Sequence, residues 1–275
     1  MLNPYLPQTV KIIDTFQETP TIKRIDFRVN FSPALLTKKM TFVPGQFILA
    51  GVWGAGEAPF GLTNSPYNRK RWQIMVRNTG GRVTSSLHRL KPGDTMTMRG
   101  PYGNGFPLQK MTNMDIVAMA GGCGIPPIAS LIEFITVNRN NFSKVYLVYG
   151  AGSPEEFAGK SRFTHWRNKK IEVILTIDKP QKGWAGRVGF VSEHINNLSF
   201  DAQKTYVAMC GPGPMFAGTA AAFLQLGVAD QRIYLSAERK MSCGIGKCQH
   251  CTCGKHYVCL DGPVFSWNQI KDMHD

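Results

Sequence analysis

Five of the seven cysteines fall within seventeen residues near the C-terminus, in Cys243-Gly-Ile-Gly-Lys-Cys248-Gln-His-Cys251-Thr-Cys253 and, a little further on, Cys259. Four of them read Cys-x4-Cys-x2-Cys with a fourth eight positions on, which is the ligand spacing of a plant-type [2Fe–2S] cluster. Cys243, Cys248, Cys251 and Cys259 are therefore the expected metal ligands, and Cys253 is left over. Gly244 and Gly246 suit such a loop, because a chain wrapping an inorganic cluster must bring backbone amides close to sulfur in conformations that a side chain resists. Structural zinc also takes four cysteines, but usually as two close pairs separated by a longer spacer, whereas here three ligands crowd at one end. A basic zinc-binding interaction module is the alternative of another class. Disulfides require an oxidising compartment, and an odd number of cysteines behind an N-terminus with no basic-then-apolar signal pattern argues against one.

A chain of 275 residues is long enough for two domains with separate cores. No apolar run reaches the roughly 20 residues of a membrane span, so a soluble, cytoplasmic protein is expected. The net charge of +14 raises the question of nucleic acid. Apart from Lys160–Lys170 the charge is spread along the chain, which favours an acidic protein partner or simple solubility over nucleic acid.

The first third reads as an antiparallel β-barrel. Short alternating or apolar runs at Val10–Asp14, Ile25–Val29, Gln46–Ala50, Trp72–Val76 and Thr95–Arg99 are separated by Gly and Pro turns, among them Gly54–Gly56, Lys91–Asp94 and Gly100–Gly103. From about Met114 the period changes. Ile116–Ala120 is a buried-strand run that ends in Gly121-Gly122-Cys123-Gly124-Ile-Pro-Pro127, and helical spacing follows over Ile128–Val137. Val145–Tyr149, Ile171–Thr176, Tyr206–Cys210 and Ile233–Leu235 repeat the strand signature, and Thr219–Leu226 is an alanine-rich helix. Strands alternating with helices predict an α/β domain with a parallel sheet covered on both faces. Ligands of such sheets lie beyond the carboxyl ends of the strands, where glycine turns let backbone approach a phosphate. Gly121–Pro127 and the second turn, Cys210-Gly211-Pro212-Gly-Pro-Met215, are predicted to share that edge.

The order of these features, with Glu238-Arg-Lys-Met241 running into Cys243 and Asp261-Gly-Pro-Val-Phe265 after the last ligand, resembles the ferredoxin–NADP reductase superfamily. Within it the chain is similar to electron-transfer subunits with a C-terminal [2Fe–2S] loop: the gamma subunit of NAD(P)-linked nickel–iron hydrogenases (sulfhydrogenases), and the electron-transfer subunits of anaerobic sulfite reductase and of dihydroorotate dehydrogenase. The resemblance implies an FAD-binding barrel over 1–110, an NAD(P)-binding domain over 111–237 and a cluster-binding loop over 238–275. It implies that Pro59, Phe60 and Gly61 in Ala58–Ser65, together with Gly81, Val83 and Thr84, hold FAD; the first segment departs from the family pattern in having Gly61 where Ser is usual and no Arg. Gly121, Gly122, Cys123, Gly124, Pro127, Gly211, Pro212 and Met215 would hold the nicotinamide cofactor, with Cys210 approaching its reactive end. Where relatives that grip a 2′-phosphate offer an arginine, this chain has Glu155 and Glu156, so NADH is expected over NADPH. Electrons would pass to other subunits of a redox complex, of hydrogenase type or sulfite-reductase type, docked on the aromatics of Val264–Ile270.

Overall fold

The computed structural model describes residues 3–29 and 40–271. Six strands, β1 (Gln8–Gln17), β2 (Ile22–Arg28), β3 (Phe47–Val52), β4 (Gly56–Gly61), β5 (Trp72–Arg77) and β6 (Thr95–Tyr102), form an antiparallel sheet in the order β4-β3-β6-β1-β2-β5. An antiparallel bridge between Leu62 and Ile74 brings the two outer edges together and closes a barrel. Strand alternation turns Val10 and Ile12, Ile25 and Phe27, Ile74 and Val76, and Met96 and Met98 into one interior. Helix α1 (Arg82–Arg89) adds Leu87 to that core. Strand β4 occupies a segment that reads as turn and loop from sequence, and it pairs with β3 from Val52–Gly56 to Phe47–Gly61.

The second layer is a seven-stranded sheet. Its strands β7 (Asp115–Gly121), β8 (Val145–Ala151), β9 (Glu172–Ile177), β10 (Arg187–Val188), β11 (Thr205–Cys210) and β12 (Ile233–Ser236) are parallel, and β15 (Val264–Ser266) closes one edge in the order β10-β9-β8-β7-β11-β12-β15. Helices α2 (Ile125–Val137), α3 (Lys160–Asn168) and α4 (Gly213–Gln225) cover it. Ile116, Ala118 and Ala120 of β7 pack with α2, while Val117 and Met119 face Ala220 and Phe223 of α4. Burial on both faces is why these strands read as unbroken apolar runs. On α2, Ile128, Leu131, Ile132 and Ile135 are all fully buried, each contributing about 1.5–3 kcal/mol. Pro126 and Pro127 occupy its first turn, where their missing N–H groups cost nothing.

Two stretches singled out in the sequence find their place here. The basic run Lys160–Lys170 is mostly helix α3, whose Phe163 and Trp166 are buried against the sheet, and Arg162 reaches the barrel, donating to the Thr63 carbonyl at 2.6 Å and to Gln73 Oε1 at 2.6 Å. The segment expected to expose aromatics for docking is instead strand β15, antiparallel to β12 with Leu235 opposite Phe265. Phe265 is 0% exposed. The apolar pair Val264 and Phe265 serves a sheet edge, not a partner.

Between β12 and β15 the chain leaves the sheet to form the cysteine loop, the small hairpin of β13 (Thr252–Cys253) and β14 (His256–Tyr257), and the short helix α5 (Val258–Asp261). A final turn, α6 (Trp267–Ile270), packs beside β15.

Candidate functional site

The cysteine loop folds around its own sulfurs. Cys243 Sγ accepts the backbone N–H groups of Ile245, Lys247 and Cys248 at 3.4, 3.3 and 3.4 Å. Cys259 Sγ accepts that of Gly246 at 3.1 Å, and Cys251 Sγ that of Cys259 at 3.4 Å. Gly244 and Gly246 hold φ of +74° and +75°, and a Cβ on Gly244 would lie 2.9 Å from Leu49 Cδ1 and 3.0 Å from the Tyr102 ring. Glycine is required there both by the backbone and by the barrel wall. Amide dipoles aimed at sulfur stabilise thiolate, the form that binds metal. At Cys243 burial opposes ionisation, but the three amides outweigh it and bring the thiol down to about 6. At Cys259 burial, reinforced by the neighbouring Cys251, pushes the thiol up to about 12.

Cys248 neighbours Cys243 and Cys251 neighbours Cys259, and Cys243 acts on Cys259 as well, so the four sulfurs face one another. Cys251 and Cys259 are each 2% exposed and pack with Phe47 and Leu49 of β3, while Cys243 and Cys248 are half-buried. Cys253 packs against the cluster of Cys251 and Cys259, with its Sγ 3.8 Å from Arg239 Nη2.

Two adjoining cavities lie where the barrel meets the carboxyl ends of the parallel strands. One, of about 540 Å³, is lined by Gly121, Gly122, Cys123, Gly124, Gly211, Pro212 and Met215. The two glycine turns that form it are in close contact: a Cβ on Gly124 would stand 2.4 Å from the Cys210 carbonyl oxygen, and one on Gly121 2.9 Å from Met215 Sδ. Gly122 has φ +51°, and a Cβ built on it would meet nothing within 4 Å, so that side of its backbone is open, as a phosphate-binding turn requires. The other cavity, of about 720 Å³, is lined by Pro59, Phe60, Gly61, Thr84, Cys123, Pro127 and Cys210. Gly61 backs onto α2, where a Cβ would touch Pro127 Cδ at 3.4 Å. Gly81 is the N-cap of α1, and Val83 packs against the barrel core; neither lines either cavity. Cys210 is 2% exposed, and burial holds its thiol well above the ordinary range, so it stays neutral.

Three residues at these walls, Arg77, Glu238 and Asp178, escaped the sequence reading. Arg77 and Glu238 line both cavities together with the expected Cys123 and mark their junction. Glu238 is open to solvent along the cleft yet walled by protein on its other sides, and that partial burial raises its carboxyl above the usual range. Asp178, directly after β9, lines the smaller cavity, whereas Glu155 and Glu156 do not. An acidic residue at the carboxyl end of a parallel strand is a signal the sequence does contain.

Three family models match the chain: an oxidoreductase FAD-binding domain over residues 11–106, an oxidoreductase NAD-binding domain over 119–221, and the iron–sulfur cluster binding domain of dihydroorotate dehydrogenase B over 238–271. The Sulfhydrogenase 1 subunit gamma of Pyrococcus furiosus is 35% identical over 98% of this chain and 93% of its own length. The chain belongs to the ferredoxin–NADP reductase family, in its iron–sulfur branch. A probable dihydroorotate dehydrogenase B electron transfer subunit from Pyrococcus abyssi is 37% identical over 85% of this chain and 83% of its own. Among solved structures, the fold is shared with an NADH-dependent reduced ferredoxin-NADP oxidoreductase (TM-score 0.75, 20% identity, 96% of this chain and 92% of that one). It is also shared with a ferredoxin NADP+ reductase from Neisseria gonorrhoeae (TM-score 0.70, 18% identity, 83% and 97%). This family member is an oxidoreductase electron-transfer subunit with FAD-binding, NAD-binding and iron–sulfur domains. Among its described residues no helix is long and apolar enough to cross a membrane.

Proposed function

We propose that the chain carries electrons between NADH, FAD and a [2Fe–2S] cluster and on to the catalytic partner of a hydrogenase-type complex. The observation that carries the reading is the serial order of the sites. The glycine-turn cavity shares Arg77, Cys123 and Glu238 with the larger one, and Phe47 on the wall of the larger one packs with Cys251 and Cys259. When bound, a flavin takes hydride and releases electrons singly to an iron–sulfur centre, so one NADH yields NAD+, H+ and two electrons.

The residues' part in this is placement. Gly122 and the first turns of α2 and α4 would present backbone to the pyrophosphate of the nicotinamide cofactor. Arg77 and Arg239 line the flavin cavity and supply the positive charge missing from Ala58–Ser65. The spacing Cys-x4-Cys-x2-Cys-x7-Cys suits a two-iron centre, whereas structural zinc usually takes two close pairs with a longer spacer. Asp178 favours NADH, because a carboxylate accepts the ribose 2′-hydroxyl and repels a 2′-phosphate. The half-buried pair Cys243 and Cys248, with Leu260 at 59% exposure against Gly246 in the same loop, is the face on which the partner docks. The seven unbridged cysteines suit a reducing cytoplasm.

Anaerobically purified protein is expected to show flavin and iron–sulfur absorption bands that NADH bleaches. Serine at Cys243, Cys248, Cys251 or Cys259 is expected to abolish iron binding, and serine at Cys253 to leave it intact. A colourless protein with stoichiometric zinc, or iron kept in Cys259→Ser and lost in Cys253→Ser, overturns the reading. The match to the dihydroorotate dehydrogenase B iron–sulfur model supports a second reading, in which the partner is a dihydroorotate dehydrogenase catalytic subunit. Co-purification from the native source decides between them.

A further inference from the structure

The cluster loop and the flavin segment belong to different parts of the chain, yet one guanidinium touches both. Arg99 on β6 is 7% exposed. Its Nε and Nη2 donate to the Glu57 carboxylate at 3.0 and 2.8 Å. Nη1 donates to the Cys243 carbonyl at 3.0 Å and to the Pro4 carbonyl at 3.2 Å, and Nη2 donates also to the Ser242 carbonyl at 3.0 Å. Glu57 stands on β4 immediately before Ala58, Pro59, Phe60 and Gly61, which line the larger cavity. Ser242 and Cys243 open the cysteine loop. The neighbouring Tyr102 hydroxyl donates to the same Pro4 carbonyl at 2.9 Å.

We propose that Arg99 is a positioning residue for electron transfer, holding the flavin-binding segment and the first cluster ligand at a fixed separation through Glu57 on one side and the Ser242 and Cys243 carbonyls on the other. Such a link needs the planar fork of arginine. A lysine ammonium has comparable charge but cannot span a carboxylate and two carbonyls spread over the guanidinium edge. Burial of the group makes the connection stiff, because a guanidinium out of water is costly to leave without its partners. Electron transfer between two centres weakens steeply with their separation, so the spacing of β4 and the Cys243 turn bears directly on its rate. This rests on the electron-carrier reading above.

The test uses the full chain with its flavin and iron, as the parent and as Arg99→Gln, Arg99→Lys and Glu57→Gln. Stopped-flow mixing with NADH follows the flavin and cluster bands separately, alongside iron content, the electron paramagnetic resonance spectrum of the reduced cluster, and hydrogen exchange over residues 240–247. In Arg99→Gln we expect flavin reduction within about twofold of the parent, the cluster step slowed about tenfold, a changed cluster spectrum and faster exchange at 240–247. Arg99→Lys is not expected to restore the cluster step. If Arg99→Gln loses its iron, Glu57→Gln decides, since it keeps the carbonyl contacts and weakens only the link to the flavin segment by removing its charge; it is expected to keep iron and slow the cluster step. An unchanged cluster step in an iron-loaded Arg99→Gln, equal slowing of both steps, full rescue by lysine, or an unchanged cluster step in Glu57→Gln overturns the proposal. A parent chain whose cluster NADH cannot reduce overturns the electron-carrier reading instead.

Discussion

Phe265→Ala is expected to be among the most damaging single truncations in the chain. The ring is 0% exposed and lies between the seven-stranded sheet and the cysteine loop. Leu235 is its partner on β12, the His256 ring stands 5.5 Å away, and a Cβ on Gly262 would be 2.3 Å from the ring edge. Cys251, Val258 and Cys259 share its cluster. Truncating a buried Phe costs about 3–5 kcal/mol, and the upper end applies where the surroundings cannot collapse. Here they are pinned by sheet pairing on one side and by sulfurs tied to backbone amides on the other. At about 2–4 °C per kcal/mol for a chain of this size, melting should fall by roughly 6–20 °C, and Phe265→Leu should lose less than half as much. Urea titration of the iron-loaded protein, followed by cluster absorbance and tryptophan fluorescence, measures this. A loss under about 1 kcal/mol with iron retained would refute the packing argument and return Phe265 to the status of a docking residue.

Asp178→Asn should narrow the preference for NADH over NADPH by about tenfold, the scale of one removed charge repulsion, read as the ratio of the two Kd values; an unchanged ratio removes Asp178 from the ribose end. The carboxyl of Glu238 is raised by partial burial, so it is neutral below its raised value and becomes anionic as pH rises through it. The nicotinamide ring of NAD+ is cationic and that of NADH is not, so NAD+ should bind up to about fivefold tighter on the alkaline side. Binding titrations across the pH range should show this in the parent and a flat profile in Glu238→Gln, and a pH dependence that survives in the variant places the titrating group elsewhere.

The barrel strands and the parallel sheet were legible because their side chains report the environment directly, as alternation in β2 and β5 and as unbroken apolar runs in β7, β8 and β11. The iron–sulfur domain was legible because metal spacing is local in sequence. Strand β4 was not: Gly56, Pro59 and Gly61 are weak strand formers, and its residues are half-exposed because they back a cavity. Strand β15 is three residues whose partner lies about 30 positions upstream, so the aromatic pattern looked like surface. The role of Arg99 depends on Glu57 and Cys243, which only the fold brings to one place. Glu238 and Asp178 are single acids at strand ends, and they gain meaning only once the cavity walls are drawn.

The cysteine loop leaves the sheet after β12 and returns to it as β15, with the Ala237 N–H donating to the Pro263 carbonyl at 2.8 Å. Both ends of the metal-binding excursion are therefore sewn into the same sheet edge. Were β15, held by three residue pairs, to peel away, the edge of β12 would lose its cover. The bare edge of β12 would then present unpaired backbone groups to neighbouring molecules, a template for edge-to-edge association.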